Sequence, residues 1–319
     1  MLNLEGRTVL VTGGAGFIGS HLVEALSDGG AQVRVLDNLS TGSLVNLAHL
    51  EDRFDLVEAD IRDSEAMDSA FRDVDLVFHQ AAVVSVPLSV KDPVGSAEVN
   101  EMGTLKVLEA ARVHGVRRVV LASSSAVYGN NPDLPKRESM APEVLSPYAA
   151  QKLANELIAG LYWRLYGLET VCLRYFNVFG PRQDPSSPYS GVISIFMERA
   201  VGGGAPVIYG DGGQSRDFVY VEDVARANLM AASAAGAGGK IFNIGTGKSI
   251  TVRRLWELIR GFAGLELPAV PAAPREGDVR HSLADIGQAE ECLGFLPRVD
   301  LESGLRSTYD WYANHAGRA

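Results

Sequence analysis

The chain is poor in the residues that mark secreted, metal-binding or nucleic-acid-binding proteins. Its two cysteines, Cys172 and Cys292, lie far apart, each in an apolar stretch. That spacing argues against a disulfide framework or a paired-cysteine metal site and leads us to expect two buried thiols in a reducing compartment. The six histidines, His21, His49, His79, His114, His281 and His315, show no metal-ligand spacing, so structural or surface places are expected for them. No block of Lys or Arg stands out and the formal net charge is −10. This balance argues against a nucleic-acid or anionic-membrane surface, although a few local arginines would still serve an anionic small molecule. No apolar run reaches membrane-spanning length, and a strand starting at Thr8 leaves no room for a secretory signal. The expected compartment is the cytoplasm.

What the chain does have is core material and order. With 319 residues, 46% hydrophobic and 21% charged, it supports a large core, as a main domain plus a smaller one. Short β-branched or Leu-rich runs at 8–12, 32–37, 54–58, 76–80, 118–122 and 169–174 read as strands buried on both faces. Amphipathic segments at 17–27, 63–71, 94–114 and 147–166 alternate with them, the last opened by Ser146-Pro147 and closed by Gly167. Such alternation predicts an α/β fold, a Rossmann-type doubly wound parallel sheet with right-handed crossovers. Beyond about residue 175 proline, glycine and serine become frequent. We therefore expect a nucleotide domain over 1–175 with a return segment near 217–245, and a smaller, loop-rich C-terminal α/β substrate domain over 176–216 and 246–319. The segment 236–239 reads as a surface loop before a strand at 240–244.

Thr12-Gly13-Gly14-Ala15-Gly16-Phe17-Ile18-Gly19 follows the first strand. A tight glycine turn there lets backbone N–H groups and a helix N-terminus face a pyrophosphate that side chains would keep away. Gly13, Gly16 and Gly19 are spaced G-x-x-G-x-x-G, which matches the general dinucleotide fingerprint in mechanism more than in letter. Asp37 closes the second strand 18 residues past Gly19. A carboxylate there accepts from the adenosine ribose hydroxyls and repels a 2′-phosphate, which favours NAD over NADP.

Ser123-Ser124-Ser125 follows the fifth strand, at the sheet edge where ligands of such folds bind. Tyr148 and Lys152 stand one helical turn apart and share a face. A phenol titrates near pH 10, so making it a base at neutral pH takes about 4 kcal/mol of preferential stabilisation of the phenolate. Lys152 and a positive nicotinamide ring are the expected sources. Taken alone, the pair also fits an ordinary helix surface.

Together these segments resemble an extended short-chain dehydrogenase/reductase of the NAD-dependent nucleotide-sugar epimerase/dehydratase group, over nearly the whole chain. Besides residues 13–21 the match rests on Asp37-Asn38, Asp60-Ile61, His79-Gln80-Ala81-Ala82, Asn100, residues 123–129 and Tyr148 to Lys152. It continues through residues 174–181, Tyr209-Gly210-Asp211-Gly212, residues 215–220 and Arg275-Glu276-Gly277-Asp278. The resemblance implies that NAD is held by Gly13, Gly16, Phe17, Ile18, Gly19, Asp37 and Asn38, with Asp60 and Ile61 at the adenine. Toward the nicotinamide it implies Gln80, Ala81, Ala82, Asn100, Tyr148, Lys152 and Tyr175. It further implies a UDP-sugar touched by Ser85, Ser124, Ser125, Asn177, Val192, Tyr209, Asp278 and Ser282, with Arg216 and Arg275 on the diphosphate, where arginine's planar fork suits phosphate. The catalytic set it implies is Ser124, Tyr148 and Lys152.

Dehydratases of the group carry Thr-Asp-Glu before Val-Tyr-Gly, where this chain has Ser124-Ser125-Ala126. Without that acid and base, the resemblance implies an epimerase, an isomerase that oxidises and re-reduces the sugar at C4 through a 4-ketose. Residues 85–93, 182–189 and 275–286 are similar to those of bacterial UDP-N-acetylglucosamine 4-epimerases that serve surface-polysaccharide synthesis. In 4-epimerases the residue seven after the arginine of the last motif sets pocket width; here it is Ser282, not a bulky tyrosine. A small residue permits an acetamido sugar without requiring it. A UDP-glucose or UDP-glucuronate 4-epimerase therefore stays open, as does a non-catalytic NAD-binding protein. Val84 replaces a lysine that some galactose epimerases place after the fourth strand. The group commonly dimerises through the Tyr148 helix and the one before it, and Leu153, Leu157, Leu161 and Leu165 would serve a homodimer, or else pack a core.

Overall fold

The computed structural model describes residues 4–185, 191–274 and 279–315. Seven strands form one parallel sheet. The first six are β1 (Thr8–Thr12), β2 (Gln32–Asp37), β3 (Phe54–Glu58), β4 (Leu76–His79), β5 (Arg118–Ser124) and β6 (Glu169–Tyr175). The seventh, Lys240–Ile244, pairs with β6 from Lys240↔Val171 to Ile244↔Tyr175. In space the order is Lys240–Ile244, β6, β5, β4, β1, β2, β3. The order reverses between β1 and β4, so the C-terminal ends of these two strands open a crevice.

Alternate residues along each strand face opposite ways, and here both faces are apolar. Val9, Val11, Val35, Phe78, Val120 and Leu173 pack with Leu22, Leu26, Val224 and Ala227 on one side. Leu10, Leu36, Val77, Val119 and Leu121 pack with Met67, Phe71, Val107 and Ala159 on the other. Each large side chain buried this way contributes about 1.5–3 kcal/mol. The Tyr148 helix, Pro147–Tyr166, lies on the second face. Ser146 caps it by accepting from the Ala149 N–H at 3.2 Å, and Gly167 ends it at φ 72°.

Instead of one helix over 94–114, the chain forms Pro93–Ala97, a π-turn Glu98–Gly103 and Thr104–Val113. Two sets of contacts accompany the break. The Asn100 carbonyl is taken by the Thr104 hydroxyl at 2.6 Å and the Asn155 amide at 2.8 Å, and Gly103 admits the Ile61 side chain, which a Cβ would meet at 2.5 Å. The apolar spacing runs on through the bulge, so the sequence pattern does not reveal it.

A separate core forms where helices Val192–Val201, Val252–Phe262 and Leu301–His315 enclose Phe196, Met197, Leu255 and Trp256. Strand Asn177–Phe179 pairs in parallel with Phe218–Tyr220 below it. Buried Asp217 ties this region together, accepting from the backbone N–H groups of Thr246, Gly247 and Ala284. The loop at 236–239 is less superficial than expected: Ala237 is fully buried and Gly239 lies against Trp163. Cys172 is buried, whereas Cys292 is only half-buried. Among the described residues no helix is long and apolar enough to cross a membrane.

Candidate active site

At the crevice the glycine turn is fixed by sterics. Gly13 has φ +69° and approaches Ala81 so closely that a Cβ would lie 2.6 Å from its backbone nitrogen. Gly16 starts the helix Phe17–Asp28 and no side chain caps it, so donors of the first turn remain available to an anion. The Asp37 carboxylate, at the end of β2, accepts from the Ala15 and Leu39 N–H groups, both at 2.9 Å. Asn38 donates to Asp60 at 2.8 Å, and the Arg62 hydrogen bonds pull the Asp60 pKa down to about 2. This cradle, open to backbone donors and closed to side chains, fits the pyrophosphate and ribose of a dinucleotide. The Ile61 side chain is buried in the core against Gly103.

β5 runs two residues past the expected end, so Ser123 and Ser124 belong to the strand itself. The Tyr148 helix grips that end. The Ser124 hydroxyl accepts from the Ala126 N–H at 3.1 Å and lies close enough to the Tyr148 phenol to act on its titration. The Lys152 ammonium donates to the Ala122 carbonyl at 2.9 Å and lies 5.9 Å from the Tyr148 ring centre. Burial pushes Tyr148 up from its ordinary pKa, with Ser124 opposing it. Burial likewise pushes Lys152 down to about 8. Both groups are desolvated together, so burial in the protein works against the lowering expected of Lys152 and the nicotinamide ring jointly.

Behind the crevice runs a chain of hydrogen bonds. His79 contacts the Thr12 hydroxyl through Nδ1 at 2.7 Å and the Thr104 hydroxyl through Nε2 at 2.9 Å. Thr104 donates to the Asn100 carbonyl, so it accepts from His79, which places the proton on Nε2. Burial pushes this ring down to about 3 and keeps it neutral. The Asn100 amide bonds the backbone of Val83 in both directions and Gln151 at 2.7 Å. Asn100 thus fastens the Ala81-Ala82-Val83 segment to the Tyr148 helix. Tyr175, expected at the nicotinamide, directs its hydroxyl to Gln80 and Asn228, at 3.2 and 2.8 Å. Ser85 caps the helix Val86–Lys91 by accepting from Leu88.

On the substrate side a cavity of about 100 Å³ is lined by Asn177, Val178, Phe179, Gln183, Gly191, Val192, Ile193 and Phe218. Both the backbone N–H and the side-chain amide of Asn177 donate to the Asp217 carbonyl. Ser282 pairs its N–H with the Ser215 carbonyl at 3.0 Å, next to Arg216, whose guanidinium donates to the Arg280 carbonyl at 3.3 Å. The Tyr209 carbonyl accepts from Gln214 at 3.0 Å, and Ser125 opens the turn Ser125–Tyr128. Arg275 and Asp278 lie outside the described residues. Sequence reasoning gave no role to Ser89, which accepts from the Tyr148 N–H at 3.1 Å, or to Gln183, whose buried Oε1 meets no partner among the described residues. Each offered only its place in a resembling segment, 85–93 and 182–189.

A switch-point crevice with an uncapped glycine turn, beside a Ser–Tyr–Lys set on one strand and one helix, defines a nucleotide-dependent enzyme of the short-chain dehydrogenase/reductase type. Residues 9–245 match the model of the NAD dependent epimerase/dehydratase family. A UDP-glucose 4-epimerase of Mycolicibacterium smegmatis is 43% identical over 96% of this chain and 98% of its own. A UDP-N-acetylglucosamine 4-epimerase from Methanobrevibacter ruminantium, solved in complex with UDP-N-acetylmuramic acid, superposes with a TM-score of 0.94 at 42% identity, over 98% of this chain and 99% of that one. The UDP-glucose 4-epimerase of Thermotoga maritima, solved with UDP-glucose, gives 0.92 at 41%, over 97% and 99%. The chain belongs to the NAD dependent epimerase/dehydratase family.

Proposed function

We propose that the protein is an NAD-dependent UDP-sugar 4-epimerase whose preferred pair is UDP-N-acetylglucosamine and UDP-N-acetylgalactosamine, with UDP-glucose and UDP-galactose also accepted. The observation that carries the reading is the gathering of Ser124, Tyr148 and Lys152 at one strand end, the Lys152 ammonium 5.9 Å from the Tyr148 ring centre and the Ser124 hydroxyl beside the phenol, with Ala126 following where elimination chemistry needs a carboxylate. Bound NAD supplies a hydride acceptor and donor at the sugar's C4. Ser124 holds the 4-hydroxyl against the phenol, Tyr148 takes its proton and later returns it, and Lys152 stabilises the phenolate between the two events. Residues 1–175 with 217–245 serve NAD in this scheme, and 176–216 with 246–319 serve the UDP-sugar. The apolar cores cut across those bounds at two places, since Ala289, Leu293 and Phe295 pack into the core of the seven-stranded sheet and Phe218 and Tyr220 into the second core.

Incubating the purified protein with each UDP-sugar and resolving the C4 epimers tests the reading; conversion of no UDP-hexose sinks it. Acceptance of UDP-glucuronate or UDP-glucose with no acetamido turnover would move the preference while keeping the reaction. The width assigned to Ser282 has its own check. Ser282→Tyr is expected to cut acetamido turnover about tenfold or more and to spare UDP-glucose, and equal losses on both would refute a gate at this position.

A homodimer completes the proposal. Leu157, Leu161 and Leu165 are exposed on the Tyr148 helix, as is Met102 on the π-turn beside it, and a contiguous apolar strip of this kind supports an interface. Leu153 takes no part, because it packs inward against Val127, Tyr128 and Phe176. Leu161→Glu should shift the sedimentation mass from dimer to monomer; a wild type that already sediments as a monomer removes the interface. Two free cysteines support the cytoplasm as the compartment.

A further inference from the structure

Four residues beyond Lys152, on the same helical face, lies a carboxylate that the chemistry above does not use. Glu156 is buried, and its oxygens accept from the Ser123 hydroxyl at 2.5 Å and from Arg174 Nε and Nη2 at 2.8 and 2.7 Å. Successive turns of one helix thereby hold successive residues of β5, Glu156 the Ser123 hydroxyl and Lys152 the Ala122 carbonyl, with the Tyr148 phenol beside Ser124. A buried ion pair is weak support for stability, since well-packed apolar residues often do as well. The place of this one, between the catalytic strand end and the catalytic lysine, is better explained by what it does to its neighbours.

We propose that Glu156, clamped by Arg174, is a positioning residue of the active site: it locks the Ser123-Ser124 strand end to the Tyr148 helix and stands as the fixed negative charge facing the Lys152 ammonium. The proposal rests on the epimerase reading for its consequence in turnover, but its geometry is independent of the sugar.

The groups around Lys152 make the sign definite. On its own helix are Tyr148 and Glu156, from β6 come Cys172 and Arg174, and from β4 comes His79. Burial keeps the Cys172 thiol protonated and the His79 ring neutral. Arg174 is cationic, is engaged by Glu156 and acts on Cys172 and not on Lys152, so its removal in a double variant leaves the lysine to feel the loss of the carboxylate. Glu156 is the only carboxylate among these groups. Burial lowers Lys152, and Glu156 works against that loss. Removing the carboxylate charge therefore moves the lysine titration to lower pH, and the alkaline limit of turnover moves with it.

Glu156→Gln alone strands a buried guanidinium, so the decisive variant is the double Glu156→Gln/Arg174→Gln, which keeps the volume and leaves two amides able to pair. Two measurements are made on the NAD-loaded protein. The first is a titration of the Lys152 ε-carbon by NMR of lysine-labelled protein, assigned with Lys152→Arg. The second is the pH profile of kcat on UDP-glucose. In the double variant both midpoints should fall by about half a pH unit or more, and Glu156→Asp should keep the Lys152 titration near that of the wild type. Ser123→Ala, which deletes one hydrogen bond and no charge, should lower kcat by about threefold or more with little change in KM. Unchanged midpoints in the double variant, or an unchanged kcat in Ser123→Ala, overturn the proposal. If the wild type turns over no UDP-sugar, the epimerase reading falls on that result, and the Lys152 titration still decides the role of Glu156.

Discussion

Tyr148→Phe is expected to lower turnover of every accepted UDP-sugar by about 10²–10⁴-fold, the range ordinarily supplied by a positioned proton-transfer group, and to leave NAD bound. The side chain that acts on the phenol is Ser124, and the backbone of Tyr148 is held separately by Ser89. Phenylalanine keeps the ring in its buried place, so stability should fall by about 1 kcal/mol at most, the net worth of a hydrogen bond. The remaining Ser124 hydroxyl is no substitute, because its ordinary pKa lies far above that of a phenol. Steady-state rates, together with the NAD content of the purified variant, make the check. A Phe variant within tenfold of the wild-type rate would remove Tyr148 from the chemistry, and one that has lost NAD would make it a cofactor ligand first.

The second large effect is steric. At Gly19 an added Cβ would lie 2.0 Å from the Gly13 carbonyl oxygen and 2.8 Å from the Gly14 Cα. Both are backbone atoms, and no rotamer change relieves the clash. In Gly19→Ala the helix Phe17–Asp28 has to withdraw from the turn, taking with it the uncapped donors that face the pyrophosphate. We expect loss of about 2–4 kcal/mol of stability and purification without NAD. Gly261→Ala is the control: it lies in the helix Val252–Phe262 with nothing within 4 Å of the new methyl, and it should be neutral or stabilise by up to about 1 kcal/mol. Thermal unfolding and the nucleotide absorbance of the purified proteins report both effects. Gly19→Ala carrying a full complement of NAD at the wild-type Tm would show that the turn tolerates a side chain.

The contrast between these positions shows what could be read before the structure. Gly13, Gly16 and Gly19 were legible because a turn's chemistry is local, and Tyr148 with Lys152 because helical spacing alone puts them on one face. Most of the strands were legible because burial on both faces leaves nearly continuous apolar runs, but β3, expected to be buried on both faces, holds no buried residue because it lies at the sheet edge. Arg174 and Glu156 were not legible, since their pairing depends on the register between β6 and a helix that precedes it, which no local pattern encodes. The π-turn at Asn100 was hidden for a related reason: its contacts include Asn155 and Ile61, residues 55 and about 40 positions away in the chain. Asp217 shows the same limit, because its partners Thr246, Gly247 and Ala284 come from segments that only the finished fold brings together.

The seventh strand bears on how the protein is made. While the chain is being synthesised, β6 is complete at residue 175 and yet has a bare edge until Lys240–Ile244 has emerged. The intervening residues include the helix Val192–Val201 and the paired strands at 177–179 and 218–220, which must collapse beside an unfinished sheet. Long-range parallel pairing of this kind is slow to form, and an open edge is a template for other chains. A nascent chain arrested short of residue 240 therefore presents β6, paired with β5 alone, as an open sheet edge, and the first half of the protein is not a unit that can be released early.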